Sequence, residues 1–303
     1  MIEQAVRILR AGGLVAFPTE TVYGLGADAR SEKAVRRLFA VKGRPAGHPL
    51  IVHLSDRARL EEWGEMTSAS STLAKAFWPG PMTIIVKRRG VPDVVTGGLD
   101  TVGLRVPSHP MALELLRAFE GGIAAPSANR FGKVSPTTAQ HVREDLGRDV
   151  DLILDGGPCA VGVESTIIDC SGEPAILRPG GVPREAIERV IGPIGLGGAT
   201  RAPGTLATHY APRARVVLAT EETAAAQSRG VAGRVVVLSR RDPGGLEWRE
   251  LPGTAEAVAR GLYAMLRQAD ADGFDAIVVV LPPEEGLGLA IADRLRKAAG
   301  PRD

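Results

Sequence analysis

Polar residues able to do chemistry cluster just past short apolar runs in this 303-residue chain. The first cluster, Pro18-Thr-Glu-Thr-Val-Tyr-Gly-Leu-Gly26, sets two hydroxyls, a carboxylate and a phenol among turn-forming residues after the run Leu14 to Phe17. The second, Lys42-Gly-Arg-Pro-Ala-Gly-His-Pro-Leu50, leads into a strand-like run that ends at His53. Its glycine between two cations lets backbone approach a polyanion; a solvated helix C-terminus would favour the same cations. The third, Thr101-Val-Gly-Leu-Arg-Val-Pro107, places Arg105 inside an apolar strand, where its charge needs a partner. That partner is either a structural carboxylate or the carboxylate of a ligand, which a guanidinium grips with two parallel bonds. The fourth, Ala125-Pro-Ser-Ala-Asn-Arg-Phe-Gly-Lys-Val-Ser135-Pro-Thr137, offers Ser127, Asn129 and Ser135 to phosphate or base edges. The fifth is Gly162-Val-Glu-Ser-Thr-Ile-Ile-Asp169, followed by Leu177-Arg178-Pro-Gly180.

Several common chemistries are absent from this text. No G-x-x-x-x-G-K-[ST] loop occurs, and Gly24-Leu25-Gly26 is only the front half of a dinucleotide fingerprint. Ser165 does not sit in a G-x-S-x-G elbow, which argues against a nucleophilic serine. His48 and His53 have no third ligand near them in sequence, so no metal site is expected. Cys159 and Cys170 are too few for a disulfide framework or a four-thiolate zinc site and read as small buried hydrophobes.

The elements that must carry these clusters alternate. Strand-like runs stand at 14–17, 50–54, 83–87, 101–106, 151–155, 165–170 and 175–178. Helical patterns stand at 31–41, 70–78, 110–119, 137–146 and 183–190. This order predicts a first α/β domain, residues 1–190, built on a large mixed twisted sheet. Residues 191–214 hold five Gly and three Pro without a period, which is linker composition. Residues 215–303 then read as a small Rossmann-like α/β domain with near-continuous apolar strands at 215–219, 233–239 and 276–282, and helices at 254–270 and 287–299.

Apolar residues make up 44% of the chain and charged residues 24%, which excludes wholesale disorder. The 37 basic and 35 acidic residues leave +2, with no basic tail, which argues against an electrostatically driven nucleic-acid or membrane binder. No run approaches a membrane span of about 20 apolar residues. A cytoplasmic protein is expected.

Taken together and in order, PTETVYGLG, KGRP with HPL and His53, TVGLRVP, PSAN with SPT, and ESTIID with LRPG resemble the YrdC-type domain of L-threonylcarbamoyladenylate synthases. Ala202-Pro-Gly and His209-Tyr-Ala-Pro212, with the α/β tail, resemble the long two-domain form of that family. The resemblance implies an enzyme that joins L-threonine, bicarbonate and ATP into threonylcarbamoyl-AMP and pyrophosphate. Its product would feed a tRNA threonylcarbamoyl transferase complex acting on the adenosine beside the anticodon. Carried over by motif, Thr21, His53, Arg105 and Ser165 would hold threonine, with the backbone at Ala125. Arg44, His48, Thr101, Ser127, Ser135 and Arg178 would contact ATP, with Lys42 beside the phosphates and Tyr210 reaching over from a linker that acts as a lid. Mg²⁺ would arrive on the nucleotide, and no covalent nucleophile is needed, because positioning and charge stabilisation suffice.

Two departures stand out. His48 occupies a position where many relatives carry Asn, and residues 204–209 lack the lysines often found before His-Tyr in relatives. An RNA-binding module is the competing reading from another class, opposed by flat charge and 4% aromatics. A carbamoyl-adenylate former of the hydrogenase-maturation type shares the YrdC-like domain but needs zinc-finger cysteines that two Cys cannot supply.

Overall fold

The computed structural model describes residues 1–206 and 209–301. Ala207 and Thr208 of the expected linker and the last two residues of the expected C-terminal domain lie outside the described residues. The chain divides into two compact units: Met1–Phe131 with Ser135–Thr205, and Gly132–Val134 with Leu206–Asp303.

The first unit begins with α1 (Ile2–Arg10), β1 (Val15–Phe17), β2 (Gly24–Asp28), α2 (Glu32–Lys42) and β3 (Ile51–His53). It continues through β4 (Gly64–Glu65), α3 (Ser68–Phe77), β5 (Met82–Arg88), α4 (Asp93–Thr96), β6 (Thr101–Arg105) and α5 (Pro110–Phe119). Next come β7 (Ile123–Ala124), α6 (Ala139–Leu146), β8 (Leu152–Ile153), β9 (Thr166–Asp169), β10 (Ala175–Arg178), α7 (Arg184–Ile191) and β11 (Gly195–Leu196). The strands form one 11-stranded sheet in the order β11-β10-β9-β5-β6-β3-β7-β2-β1-β8, with β4 beside β5. Pairing is mixed: β3 with β6 and β5 with β9 are parallel, whereas β5 with β6 and β2 with β7 are antiparallel.

Local signals set the helix ends. Ser31 caps α2 by accepting from the Ala34 N–H, and Gly43 closes it in the left-handed conformation at φ 62°, which a residue without Cβ adopts freely. The apolar stripe of α2 buries Val35, Leu38 and Phe39 in the main core. A second layer forms where α1 and α5 pack Leu9, Leu115 and Leu116 against Val15 and Phe17. The turn-forming Gly24 and Gly26 of the first cluster open β2. A Cβ on Gly26 would stand 2.8 Å from Ile123 Cγ2 and 2.9 Å from Phe17 Cε1, so glycine serves close strand packing there.

The second unit holds β12 (Arg215–Ala219), α8 (Ala224–Arg229), β13 (Val235–Ser239), β14 (Glu247–Glu250), α9 (Ala255–Ala271), β15 (Ala276–Val280) and α10 (Leu287–Ala298). Its sheet runs β12-β15-β13-β14 and every pair is parallel. The fully buried β15 matches the continuous apolar text of a covered parallel strand. The edge strand β14, EWRE, carries no such text, and the sequence reading does not include it.

Candidate active site

The site is built where the PTETVYGLG segment meets the loop after β7. Tyr23 N–H donates to Pro136 O at 2.9 Å, Leu25 N–H to Pro126 O at 2.8 Å, and Ala128 N–H to Tyr23 O at 2.8 Å. Thr19 organises the turn: its Oγ1 accepts from the N–H of Thr21 and of Val22, both at 3.2 Å, and donates to Val22 O at 2.6 Å. The Tyr23 hydroxyl donates to Gly157 O and accepts from Gly156 N–H, and burial pushes its pKa up to about 12. This phenol braces two loops rather than exchanging protons near neutrality.

Arg105 ends β6 and stands in register with His53 at the end of β3. Its Nη2 donates to Glu20 Oε1 at 2.7 Å and to Thr21 Oγ1 at 2.9 Å, while Glu20 Oε2 accepts from Ser108 N–H at 3.1 Å. The structural ion pair anticipated for Arg105 is therefore present, and it is buried on both sides. The guanidinium is not exhausted by it. Arg105 Nε and His53 Nδ1 are both buried without a hydrogen-bond partner among the described residues. Each orphaned polar atom costs roughly 1–3 kcal/mol unless a ligand completes it. Burial, with the Arg105 charge as a second cause, pulls His53 down to about 3, so its ring is neutral and one nitrogen can accept.

A second cluster lies along the same sheet. Thr83 on β5 sits one residue from the Ile84–Leu104 pair, which brings it beside the end of β6. Its Oγ1 meets Ser165 Oγ at 2.8 Å. Arg178 on β10 holds the Ser165 carbonyl through Nε at 3.2 Å and Nη2 at 2.8 Å, and its Nη1 donates to Pro203 O at 2.9 Å. Ser135 Oγ donates to Glu164 Oε1 at 2.6 Å. Gly180 lets the LRPG turn press onto this strand entrance, since a Cβ there would stand 2.4 Å from Glu164 O, Ser165 C and Thr166 N.

The Lys42 ammonium, 2% exposed, donates to the carbonyls of Ser127 (2.6 Å) and Asn129, and burial, with Arg44 next, holds its pKa well below the usual lysine value. Arg44 donates to Pro49 O at 3.1 Å and lies over the Phe131 ring, which His48 also meets edge-on at 5.5 Å. Burial and the nearby Arg44 and Arg201 lower the His48 pKa. Ala125 N–H donates to Ile51 O. Thr101, at the start of β6, lines a small cavity with Thr83, Ile51, Arg201 and Pro203. Arg201 donates to Gly47 O and Gly97 O, so residues 201–203 of the expected linker lie across this face of the first unit.

The structure thus draws Thr21, His53 and Arg105 into one cluster, Ser165 with Arg178 into another, and Lys42 with Ser127 into a third. Tyr210 belongs to the second unit. There it takes the left-handed backbone at φ 62°, stacks on Tyr263 at 5.8 Å, and carries Arg294 over its ring at 5.1 Å. Sequence reasoning gave no role to Thr83, Glu164 or Glu20. Two carboxylates beside hydroxyls in apolar surroundings were the available signal for Glu20 and Glu164; Thr83 inside TIIVK gave none.

The family model described as telomere recombination, Sua5–YciO–YrdC, matches residues 7–180. The model of the threonylcarbamoyl-AMP synthase C-terminal domain matches residues 182–300. The chain is 45% identical to a Pyrococcus abyssi protein named threonylcarbamoyl-AMP synthase, covering 99% of this chain and 94% of that one. It is 43% identical to the Bacillus subtilis protein of the same name, over 99% and 93% of the two chains. The crystal structure of P. abyssi Sua5 complexed with L-threonine is similar to it at a TM-score of 0.93 and 44% identity, covering 98% of this chain and 94% of that chain. The chain belongs to the Sua5–YciO–YrdC family, in the two-domain form that carries the threonylcarbamoyl-AMP synthase C-terminal domain.

Proposed function

We propose that this protein is an L-threonylcarbamoyladenylate synthase. The observation that carries the reading is the buried Arg105–Thr21–His53 cluster, where a guanidinium nitrogen and an imidazole nitrogen stand without partners beside hydroxyls. Such a cluster suits an amino acid: Arg105 takes the carboxylate, and Thr21, His53, Ser165 and the Ala125 backbone order the hydroxyl and the amine. Full-length relatives that bear this activity in their names, and a similar structure with L-threonine bound, support it.

ATP lies, in this reading, along Arg44, His48, Thr101, Ser127, Ser135 and Arg178, with Lys42 near the phosphates and Mg²⁺ carried on the nucleotide as part of the substrate. Lys42 would first exchange one of its loop carbonyls for a phosphate oxygen. The threonine amine attacks the carbon of CO₂ or bicarbonate; for bicarbonate, water is lost. A carbamate oxygen then attacks the α-phosphorus and pyrophosphate departs. The protein supplies position and charge, and no side chain forms a bond to the reacting atoms. The labile carbamate calls for a cover that excludes water, the role assigned to residues 191–214 with Tyr210. The product passes to a tRNA threonylcarbamoyl transferase complex in the cytoplasm. No helix among the described residues is long and apolar enough to cross a membrane.

Purified protein should release pyrophosphate from ATP only when L-threonine and bicarbonate are both present. Equal release without threonine would overturn the assignment.

A further inference from the structure

The second unit contains a cavity of about 440 Å³ that none of the chemistry above uses. It lies just past the carboxyl ends of the parallel strands: Ala219 closes β12, Val280 closes β15, and Arg240 follows β13. Ligands of open α/β sheets bind outside the carboxyl ends of the strands, and ligand pockets span roughly 300–1,000 Å³. A packing flaw of this size in an apolar core would be strongly destabilising.

The floor of the cavity is hydrocarbon, with Leu262 and Ile291 fully buried and Val258 and Leu295 nearly so. The mouth is charged, with Glu221, Glu222 and Arg240 on its lip. Glu221 Oε1 accepts from the Arg240 backbone N–H at 3.0 Å, which ties the two lip segments together. The exposed Arg240 guanidinium makes no hydrogen bond or ion pair among the described residues. Among the lining residues one cation faces two carboxylates, with Arg241 acting on Glu222 from outside the lining, so a head bearing both charges fits better than a phosphate or a plain fatty acid. The lip matches such a head, with the carboxylate on Arg240 and the ammonium on Glu221 and Glu222. The apolar floor favours a long hydrocarbon side chain over the short hydroxyl-bearing one of threonine.

We propose that this crevice binds an apolar α-amino acid, at a site separate from the threonine cluster of the first unit. The test is calorimetric titration of the full chain with L-leucine and L-phenylalanine, then with N-acetyl-L-phenylalanine and L-phenylalaninamide, each lacking one charge of the head. The free amino acids should bind at millimolar concentration or below, and either cap should weaken binding about 10-fold or more. Leu262→Trp, which fills the floor, and Arg240→Glu, which reverses the exposed lip charge, should each abolish it. Arg240→Glu changes only an exposed side chain and keeps the test decisive if Leu262→Trp does not fold. Binding should persist in Arg105→Ala, which keeps the first unit's site out of the measurement. Absence of binding to the wild-type chain, equal affinity for the capped forms, unchanged binding in Arg240→Glu, or loss of binding in Arg105→Ala would each overturn the proposal.

Discussion

The two sheets treat buried polarity in opposite ways. Glu20, Lys42, Arg44, His53, Arg105, Glu164 and Arg178 are all buried within the first unit. The buried polar and charged residues of the second unit among those described are His209, Ser228, Ser239 and Arg294. Charge left in an interior is costly without partners, and the first unit answers with interlocked bonds at the strand ends. The second unit buries fewer charged groups, Arg294 among them, and sets Glu221, Glu222 and Arg240 at the lip of a cavity. The difference in sheet type follows. Mixed pairing sets the ends of β3 and β6 side by side and the start of β9 against β5, whereas an all-parallel sheet aligns its strand ends along one edge.

Glycine packing differs by position in both units, since a Cβ on Gly288 of the second unit would stand 1.9 Å from Pro283 O. Gly180→Ala would drive a Cβ into the backbone of Glu164, Ser165 and Thr166 and should destabilise the first unit by about 3 kcal/mol or more, read as a fall in the urea midpoint. Gly253→Ala in the second unit meets nothing within 4 Å and should stay within about 0.5 kcal/mol. Similar effects at the two positions would erase the distinction.

Arg105→Lys keeps the charge and loses the fork, so threonine use should weaken about 30- to 150-fold, equivalent to roughly 2–3 kcal/mol. Steady-state kinetics with threonine varied checks it. A fall in thermal stability with an unchanged threonine KM would leave Arg105 as the partner of Glu20 and nothing more.

Acid should find the first unit before the second. His53 titrates near 6.5 when unfolded and is pulled to about 3 when folded, so the folded state binds fewer protons between those values. Its contribution is complete above pH 6.5 and is lost as pH falls toward 3. The loss amounts to about 2 kcal/mol between pH 6.5 and 5. Urea midpoints at the two pH values measure it, and His53→Gln should flatten that acid limb. An equally steep limb in the variant would place the acid sensitivity elsewhere.

The smallest effect is expected at the thiols. Burial pushes Cys159 and Cys170 up to about 12, so native protein at pH 7.5 should take up no maleimide, and unfolded protein should take up two equivalents. Labelling of the native chain would show that the first unit's interior opens.

The sequence alone determined the periodic and the punctuated parts. The stripe Val35, Leu38, Phe39 and the Ser31 cap specify α2, and the run Ala276–Val280 specifies a covered parallel strand, because each signal is local. The polar clusters were legible as candidates, since hydroxyls and charges just past apolar runs must sit at strand ends. What the sequence left open is what long-range pairing decides. It allowed Arg105 a structural partner or a ligand; the fold supplies Glu20 from 85 residues away and still leaves Nε unmatched. It showed Thr83 as one more residue of an apolar strand, and only the meeting of β5 with β9 turns that hydroxyl to Ser165. It read Gly24-Leu25-Gly26 as turn-forming text and half a dinucleotide fingerprint, and backbone pairing with Val15–Phe17 makes it a strand. A hydrogen bond or a steric contact depends on which residues meet in space, and that meeting is fixed by the register of the whole sheet rather than by neighbours in the chain.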